Sequence, residues 1–140
     1  MNNRCGEGLS FTEERIPIIV KEVENIPEEG YKIAIKEEVI EIEISSYPGY
    51  VYALESLSQL LTKREVKMGE VYDDPLVSYR GIMIDSVRHF ISIPKIKKLI
   101  ESMPLSKLNT IHWHLSDDEA FTILLQSHPE LAEYGAYSSE

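Results

Sequence analysis

The sequence predicts an α/β protein in two parts: a small α+β domain, in which a helix covers a sheet, and then the beginning of a larger parallel sheet or barrel. Three observations support this fold class. Isoleucines alternate with polar residues over residues 31–45, apolar residues recur at helical spacing over residues 51–61, and two apolar runs flank an amphipathic segment over residues 79–115. The predicted domains are residues 1–76 and 77–140.

The first part opens with a predicted hairpin in "YKIAIKEEVIEIEIS". Its isoleucines fall in two sets, Ile33 and Ile35 on one face and Ile40, Ile42 and Ile44 on another. Lys36 to Glu38 form a polar turn between them, so the pattern predicts two strands with one solvent-exposed face. An earlier strand is predicted around Ile16 to Val20.

A helix is predicted after the hairpin, in "YPGYVYALESLSQLL". Pro48 and Gly49 mark its start. Its apolar residues recur near the 3.6-residue period: Val51, Leu54, Leu57, Leu60 and Leu61. The helix is expected to cover the sheet, because each needs the other to bury its apolar side. The more polar residues 63–79 are predicted to be a connection.

The second part has the pattern strand, helix, strand. "YRGIMID" and "LNTIHWHL" are apolar runs suited to buried strands. Between them, "SIPKIKKLIESM" is amphipathic, with Ser92 as a predicted N-cap and Pro104 expected to end the helix near Met103. Its predicted apolar side consists of Ile93, Ile96, Leu99, Ile100 and Met103. Such a crossover unit normally belongs to a larger parallel sheet or barrel, so the barrel is expected to be incomplete within these residues.

Composition narrows the classes of partner. The net charge is −10, from 24 acidic and 14 basic residues, which disfavours nucleic acid and anionic membranes as partners. The single cysteine, Cys5, cannot form an internal disulfide. No apolar run approaches the length of a transmembrane helix, and the opening 15 residues lack the apolar stretch of a secretion signal.

Polar side chains gather where the two predicted parallel strands end. They are Asp85, Arg88 and His89 after the first strand, and His112, His114, Asp117 and Asp118 around the end of the second. Ligands of parallel strand–helix proteins bind at this end of the strands, so we expect a functional site here. A structural alternative remains open for each residue: Asp85 caps a loop, Arg88 pairs with it, and each histidine packs.

A metal site is a second interpretation of the same residues. His112 and His114 are two apart in a strand, so their side chains point to one face and Trp113 to the other. A catalytic zinc needs three protein ligands, and the third would have to come from Asp117, Asp85 or His89.

A pair of glycosidase carboxylates is a third interpretation, based on Asp118 and Glu119. Neighbours in an extended segment point apart, and no surrounding residue gives a reason for their pKa values to separate. An ordinary acidic loop is the better interpretation of these two residues.

The segment "RGIMIDSVRHFISIPKIKKLIESMPLSKLNTIHWHLSDDEAF", residues 80–121, resembles the opening of the catalytic barrel of the beta-N-acetylhexosaminidases, glycoside hydrolase family 20. That family's pattern is R-G-x-x-x-D-x-x-R-H-[FY], a helix, and K-L-N-x-x-H-W-H-L-x-D-D, and every fixed position is present. Residues 29–61 are similar to the small domain that precedes the barrel. "DDEAFTI" departs from the D-D-Q-G-W-R of many members. The resemblance implies the start of an incomplete (β/α)8 TIM barrel.

The resemblance also implies an activity. Members hydrolyse terminal non-reducing N-acetylglucosamine or N-acetylgalactosamine from glycans, using the substrate's own acetamido oxygen as nucleophile. An aspartate orients that group and the adjoining glutamate is the acid and base, in an H-x-G-G-D-E motif. These 140 residues contain no such motif, so no catalytic residue is assigned, and the chain alone is expected to be inactive.

Matched positions supply the expected site residues. Arg88 resembles the arginine that holds the 3- and 4-hydroxyls of the terminal sugar, and Asp117 the carboxylate that positions the catalytic acid. The pocket-lining residues implied by the resemblance are Asp85, His89, His112 and His114. No metal or cofactor is implied, and Arg80 is expected to be structural.

Three hypotheses remain on sequence alone. The chain is the N-terminal part of a family 20 hexosaminidase, or a non-catalytic homologue or subunit piece of the same ancestry, or an unrelated metal-dependent barrel hydrolase. The expected partners are glycans ending in either amino sugar, together with a missing C-terminal remainder or a second copy in a dimer. The family includes lysosomal and secreted members, so the sequence assigns no compartment.

Overall fold

A computed structural model describes residues 8–10, 15–61 and 65–136. The elements, in chain order, are β1 (Gly8–Ser10), β2 (Ile18–Glu22), β3 (Tyr31–Ile35), β4 (Ile40–Ile44), α1 (Tyr47–Leu60), β5 (Glu65–Lys67), β6 (Gly69–Asp73), β7 (Gly81–Asp85), α2 (Ile93–Ser102), a 3-10 helix (Met103–Ser106), β8 (Thr110–His114) and α3 (Glu130–Gly135). None of the described helices is long and apolar enough to cross a membrane. The chain divides between Ser78 and Tyr79 into an N-terminal and a C-terminal unit.

The N-terminal unit is built on a four-stranded sheet with the strand order β2-β4-β3-β6. The predicted hairpin is confirmed as the antiparallel pair β3 and β4, in which Ile33 lies opposite Ile42 and Ile35 opposite Ile40. All four side chains are buried together in the core. The prediction that the two sets occupy different faces is wrong, because this cross-strand register places them on the same one.

Helix α1 packs on β3 and β4, but through a face rotated from the predicted one. Its buried residues are Gly49, Tyr52, Ala53 and Leu57, whereas Leu54, Leu60 and Leu61 are 36–43% exposed. Small residues explain the rotation: a Cβ on Gly49 would collide with the carbonyl oxygen of Gly30. The glycine therefore lets the helix approach the backbone more closely than a leucine-lined face allows.

The prediction that residues 63–79 form only a connection is wrong. β5 pairs antiparallel with β1, and β6 adds an antiparallel edge strand beside β3. β6 is at the edge of the sheet and pairs with β3 alone, so much of it stays in solvent. The segment "GEVYD" can therefore form a strand without being an apolar run. The earlier strand, predicted at residues 16–20, is present as β2 at residues 18–22 and runs parallel to β4.

The C-terminal unit has the predicted strand, helix, strand order. β7 and β8 are parallel, with Gly81 opposite Thr110 and Asp85 opposite His114. Helix α2 begins after Ser92, whose hydroxyl makes no capping hydrogen bond, and ends at Ser102. Pro104 stands in the 3-10 helix that follows. The expected stop near Met103 is confirmed, since proline cannot donate the next helical hydrogen bond.

Arg80 connects the starts of the two parallel strands. Its Nε donates to the carbonyl oxygen of Lys107 at 2.7 Å, and its own carbonyl oxygen accepts the N–H of Asn109 at 2.9 Å. Lys107 has a φ of 54°, in the left-handed region, where the 3-10 helix ends. These contacts fix the register from which β7 and β8 run toward the site.

Candidate functional site

The site lies where β7 and β8 end side by side. Asp85 and His114 are register partners at the last positions of the two strands. Arg88 follows the first strand and Asp117 follows the second. Because parallel strands end at the same edge, these four side chains converge although 26 residues separate Arg88 from His114.

Asp85 holds both the backbone and the side chain of the loop that follows it. Its Oδ1 accepts the N–H groups of Val87 at 3.0 Å and Arg88 at 3.2 Å, and its Oδ2 lies 3.1 Å from Nη1 of Arg88. Burial opposes ionisation of Asp85, but the two N–H groups and the guanidinium charge outweigh it and lower the pKa of this carboxyl. Asp85 therefore caps the loop as a carboxylate, and the structural alternative for this residue is present in the fold.

Asp117 repeats this arrangement after the second strand. Its Oδ1 accepts the N–H groups of Glu119 at 2.9 Å and Ala120 at 3.0 Å. Its Oδ2 lies 2.9 Å from Nη1 of Arg88 and 3.2 Å from Nε2 of His114. The pKa of Asp117 is lowered, and the hydrogen bond from His114 is the largest cause. The N–H groups of Glu119 and Ala120 and the charge of Arg88 also lower it, whereas burial raises it. With a side chain only 10% exposed, Asp117 is a well-held carboxylate.

Arg88 is fixed along one edge and open along the other. Its Nη1 lies 3.1 Å from Oδ2 of Asp85, 2.9 Å from Oδ2 of Asp117 and 3.1 Å from Nε2 of His114. Burial opposes the charge on Arg88, but the carboxylates of Asp117 and Asp85 outweigh it and raise the pKa of the guanidinium. Neither Nε nor Nη2 bonds to any residue that the structure describes, and the side chain is half exposed. The guanidinium therefore presents oriented donors to a ligand.

The four histidine and aspartate positions predicted beside Arg88 separate into two groups. Asp85 and His114 join the network, whereas His89 and His112 are exposed and bond to no described residue. His112 lies opposite Met83 in the register, on the same open face of the two strands as His114. Within the described ranges, no group of three or more histidine, cysteine, aspartate or glutamate side chains is arranged to hold a metal ion.

Sequence reasoning missed Ser86 and Trp113. The indole Nε1 of Trp113 donates to Oγ of Ser86 at 2.9 Å, and both Oγ and the backbone N of Ser86 lie 3.2 Å from the carbonyl oxygen of His114. Trp113 points away from the site, so its place in the sequence gave no reason to include it. The only available signal was that a hydroxyl residue directly follows β7.

A groove of about 630 Å³ lies in the C-terminal unit beside these residues. Ser86 and Arg88 supply polar atoms at one part of its lining, and most of the rest is apolar, including Phe90, Trp113 and Leu124. Asp85, His114 and Asp117 are not part of this lining, so the groove borders the converging side chains through Ser86 and Arg88 and lies on the Trp113 face of β8.

Two family profiles match the chain along almost all of its length. "Glycosyl hydrolase family 20, catalytic domain" matches residues 77–140, and "Glycosyl hydrolase family 20, domain 2" matches residues 8–74. The chain belongs to glycosyl hydrolase family 20. The resemblance seen in the sequence motifs is thereby confirmed, and the converging side chains lie in the segment matched by the family's catalytic domain.

Relatives in family 20 come from plants and animals as well as bacteria. Beta-hexosaminidase 3 of Arabidopsis thaliana is 34% identical over 98% of this chain, and the chitooligosaccharidolytic beta-N-acetylglucosaminidase of Bombyx mori is 40% identical over 67% of it. The chain covers 28% of the plant protein and 17% of the insect protein. It thus spans less than a third of the length of either relative.

Solved structures of family 20 enzymes share the fold. The exo beta-N-acetylglucosaminidase of Vibrio harveyi, in complex with N-acetylglucosamine, is 40% identical with a TM-score of 0.77, over 84% of this chain and 19% of its own. The beta-N-acetylhexosaminidase of Bacteroides fragilis is 32% identical with a TM-score of 0.78, over 88% of this chain and 27% of its own. A mixed α/β fold of the family 20 type is therefore shown for the chain.

Proposed function

We propose that this chain forms part of a beta-N-acetylhexosaminidase, contributing to the pocket that holds a terminal, non-reducing N-acetylhexosamine. One observation carries the proposal: the guanidinium of Arg88 is fixed through Nη1 by two carboxylates and keeps Nε and Nη2 open. A planar donor edge of this kind matches two neighbouring hydroxyl oxygens of a sugar ring. The names of the family 20 relatives support the same substrate class.

Each site residue has a role in this proposal. Arg88 binds the 3- and 4-hydroxyls, and Asp85 fixes the guanidinium in the loop. Asp117, kept ionised by His114 and its backbone donors, positions the general acid that hexosaminidases of this family use. His89, His112 and His114 line the pocket. The acid itself, with the carboxylate that orients the acetamido group, belongs to a motif that these 140 residues do not contain.

We also propose the domain plan. Residues 1–76 form the small domain, and residues 77–140 supply the first two strands of a (β/α)8 barrel, with α2 as the helix between them. Met83 is 62% exposed and His112 is exposed on the same face of the two strands. This face would point into a closed barrel, so it is to be covered by further barrel strands or by a partner chain.

The test is titration of the ¹⁵N-labelled chain with N-acetylglucosamine, following the side-chain Nε–H signals of its arginines. The signal of Arg88 should move in a saturable way. Arg80 is an internal control, since its Nε is already bound to the carbonyl oxygen of Lys107 at the other end of the strands. Equal movement of both signals, or movement of neither, contradicts a sugar site at Arg88.

A further inference from the structure

We propose that Ser86 is a positioning residue of this pocket, acting through His114 on the Arg88–Asp117 pair. The expected effect on sugar binding rests on the proposed function, whereas the positioning of His114 by Ser86 rests on hydrogen bonds in the structure. Ser86 contacts none of the atoms that would meet the sugar in the proposal above. It ties the residue after β7 to the last residue of β8.

The tie has three hydrogen bonds. The hydroxyl of Ser86 accepts from Nε1 of Trp113 at 2.9 Å and donates to the carbonyl oxygen of His114 at 3.2 Å, while the backbone N–H of Ser86 donates to the same oxygen at 3.2 Å. The hydroxyl therefore uses both its acceptor and its donor capacity. Two successive residues of β8 are held by one side chain.

The end of β8 that Ser86 contacts carries the imidazole of His114. Nε2 of His114 lies 3.2 Å from Oδ2 of Asp117 and 3.1 Å from Nη1 of Arg88, so the backbone position of His114 sets both distances. Asp85, by contrast, orients the guanidinium only from its own loop. Ser86 therefore connects the start of the first loop to the end of β8, in addition to the direct contact between Arg88 and Asp117.

Loss of the hydroxyl should loosen this relation while leaving the side chains of Arg88, His114 and Asp117 in the protein. Trp113 would lose the acceptor for its indole N–H, and the carbonyl oxygen of His114 would keep only the backbone donor. Hydrogen bonds to Asp117 that depend on the exact place of the imidazole should then lengthen. The net charge of the pocket would remain unchanged, because serine and alanine are both neutral.

The experiment compares Ser86→Ala, Ser86→Thr and Ser102→Ala in the 140-residue chain. Ser102 is the matched control, because its hydroxyl also donates to a backbone carbonyl oxygen, that of Leu99 at 2.7 Å, but within α2. Two quantities are measured by NMR: the pKa of the Asp117 carboxyl and the dissociation constant for N-acetylglucosamine. Thermal unfolding is recorded in parallel to separate positioning from stability.

In Ser86→Ala the pKa of Asp117 should rise toward its ordinary value, and the dissociation constant should increase roughly tenfold, the equivalent of one net hydrogen bond. Ser86→Thr, which keeps the hydroxyl, should restore both quantities, and Ser102→Ala should change neither. An unchanged pKa of Asp117 in folded Ser86→Ala overturns the inference, as does an equal change in Ser102→Ala.

Two further outcomes are decided in advance. If the wild-type chain does not bind the sugar, the proposed function fails, and the pKa of Asp117 alone decides whether Ser86 positions the pair. If Ser86→Ala does not fold, Trp113→Phe replaces it, because phenylalanine keeps most of the ring and removes only the N–H donor. A pKa of Asp117 unchanged in folded Trp113→Phe then rejects the role of the tie.

Discussion

Arg88 is held by carboxylates that follow different strands. Asp85 and Asp117 each use Oδ1 to cap the backbone of their own loop and Oδ2 to reach the same nitrogen of Arg88. In each aspartate one oxygen fixes the loop and the other contacts Arg88. The side chain of Arg88 therefore has a defined direction although it is half exposed. Because both carboxylates contact Nη1, the N–H groups of Nε and Nη2 remain available to a ligand, which a single ammonium nitrogen does not offer.

Arg88→Lys should therefore weaken binding of N-acetylglucosamine strongly, by about tenfold or more, because an ammonium group cannot meet both carboxylates and still present a planar donor edge. The dissociation constant measured by NMR titration checks this. Arg15→Lys, at an exposed position of the N-terminal unit, is the control and should leave the dissociation constant unchanged. Equal affinity of the Arg88→Lys and wild-type chains would remove Arg88 from the pocket.

Lys107 has a backbone conformation that costs energy in any residue with a Cβ. At a φ of 54° the left-handed region costs roughly 1–2 kcal/mol. Glycine would remove this strain, but its unfolded chain is more flexible, so part of the gain is offset by the entropy lost on folding. Lys107→Gly should stabilise the chain by about 0.5–1 kcal/mol. Urea unfolding checks this, with Lys97→Gly in α2 as a control that should destabilise by about 1 kcal/mol.

At the residue scale, the motif supplied Arg88, Asp85 and Asp117 as candidate residues, and the structure brings them together. It could not show that His114 joins them while His112, two positions away on the same face, does not. The difference depends on where Asp117 lies after the strand, which is set by loop hydrogen bonds that no spacing encodes. Ser86 was missed for the same reason.

Among the elements, α1 depends on one close backbone contact. Gly49→Ala would raise the intrinsic helix propensity of α1, but its new Cβ would meet the carbonyl oxygen of Gly30. We expect net destabilisation of about 1–3 kcal/mol, as in overpacked cores. Chemical unfolding measures it. Ser58→Ala, on the exposed side of the same helix, should not destabilise comparably; equal effects would mean that the contact is unimportant.

Strands β2 and β4 are joined outside the core by an ion-pair cluster. Glu41 on β4 contacts Lys21 on β2 and Lys36 in the hairpin turn. Hydrogen bonds from Lys36 and then Lys21 lower the pKa of Glu41 to about 2, and the bond to Glu41 raises the pKa of Lys21.

Because the pKa of Glu41 is lower in the folded state, the unfolded state binds more protons. The contribution of Glu41 is therefore complete above its ordinary pKa of 4.5 and is lost as the pH falls toward about 2. The wild-type chain should be more stable than Glu41→Gln at pH 7, and this difference should shrink between pH 4.5 and pH 2. Urea unfolding at several pH values checks this; a difference independent of pH would contradict it.

Strands and helices were predictable where their apolar residues repeat at a regular spacing along the sequence. β3 and β4 alternate because one face meets α1. α2 shows the helical period although Ile96 is its only buried residue and Ile93 and Ile100 are 56% and 50% exposed. The edge strands β2 and β6 were displaced or missed because half of their surface remains in solvent, where either polar or apolar residues are tolerated. The buried face of α1 was wrong because glycine and alanine, which carry little apolar area, decide how closely a helix approaches.

For the whole molecule, binding and hydrolysis should be separable. In the proposed function the described residues form one wall of a sugar pocket, but these 140 residues contain no H-x-G-G-D-E motif to supply the acid and the acetamido-orienting group. The purified chain should not release 4-nitrophenol from 4-nitrophenyl N-acetylglucosaminide, and chelator should leave its sugar binding unchanged. Turnover that is abolished by Arg88→Lys would show that the chain supplies its own acid.

The two-part organisation was predictable at this scale because the hydrophobic pattern changes near residue 77. In the first part apolar residues alternate with polar ones, which indicates strands with one solvent-exposed face. In the second part the predicted strands are continuous apolar runs. How the pocket is completed was not predictable, since in the proposed domain plan residues 77–140 supply only two strands of a barrel and the remaining strands would supply the other walls.

The contacts of Arg88 span very different lengths of chain. Arg88 reaches Asp85 three residues earlier in the chain, but it reaches His114 across 26 residues. The first contact lies within a single turn, whereas the second brings together residues that follow or end two different strands and so depends on the pairing of β7 and β8. A shift in the register of β7 and β8 would therefore cost Arg88 its contacts with His114 and Asp117 but not its contact with Asp85.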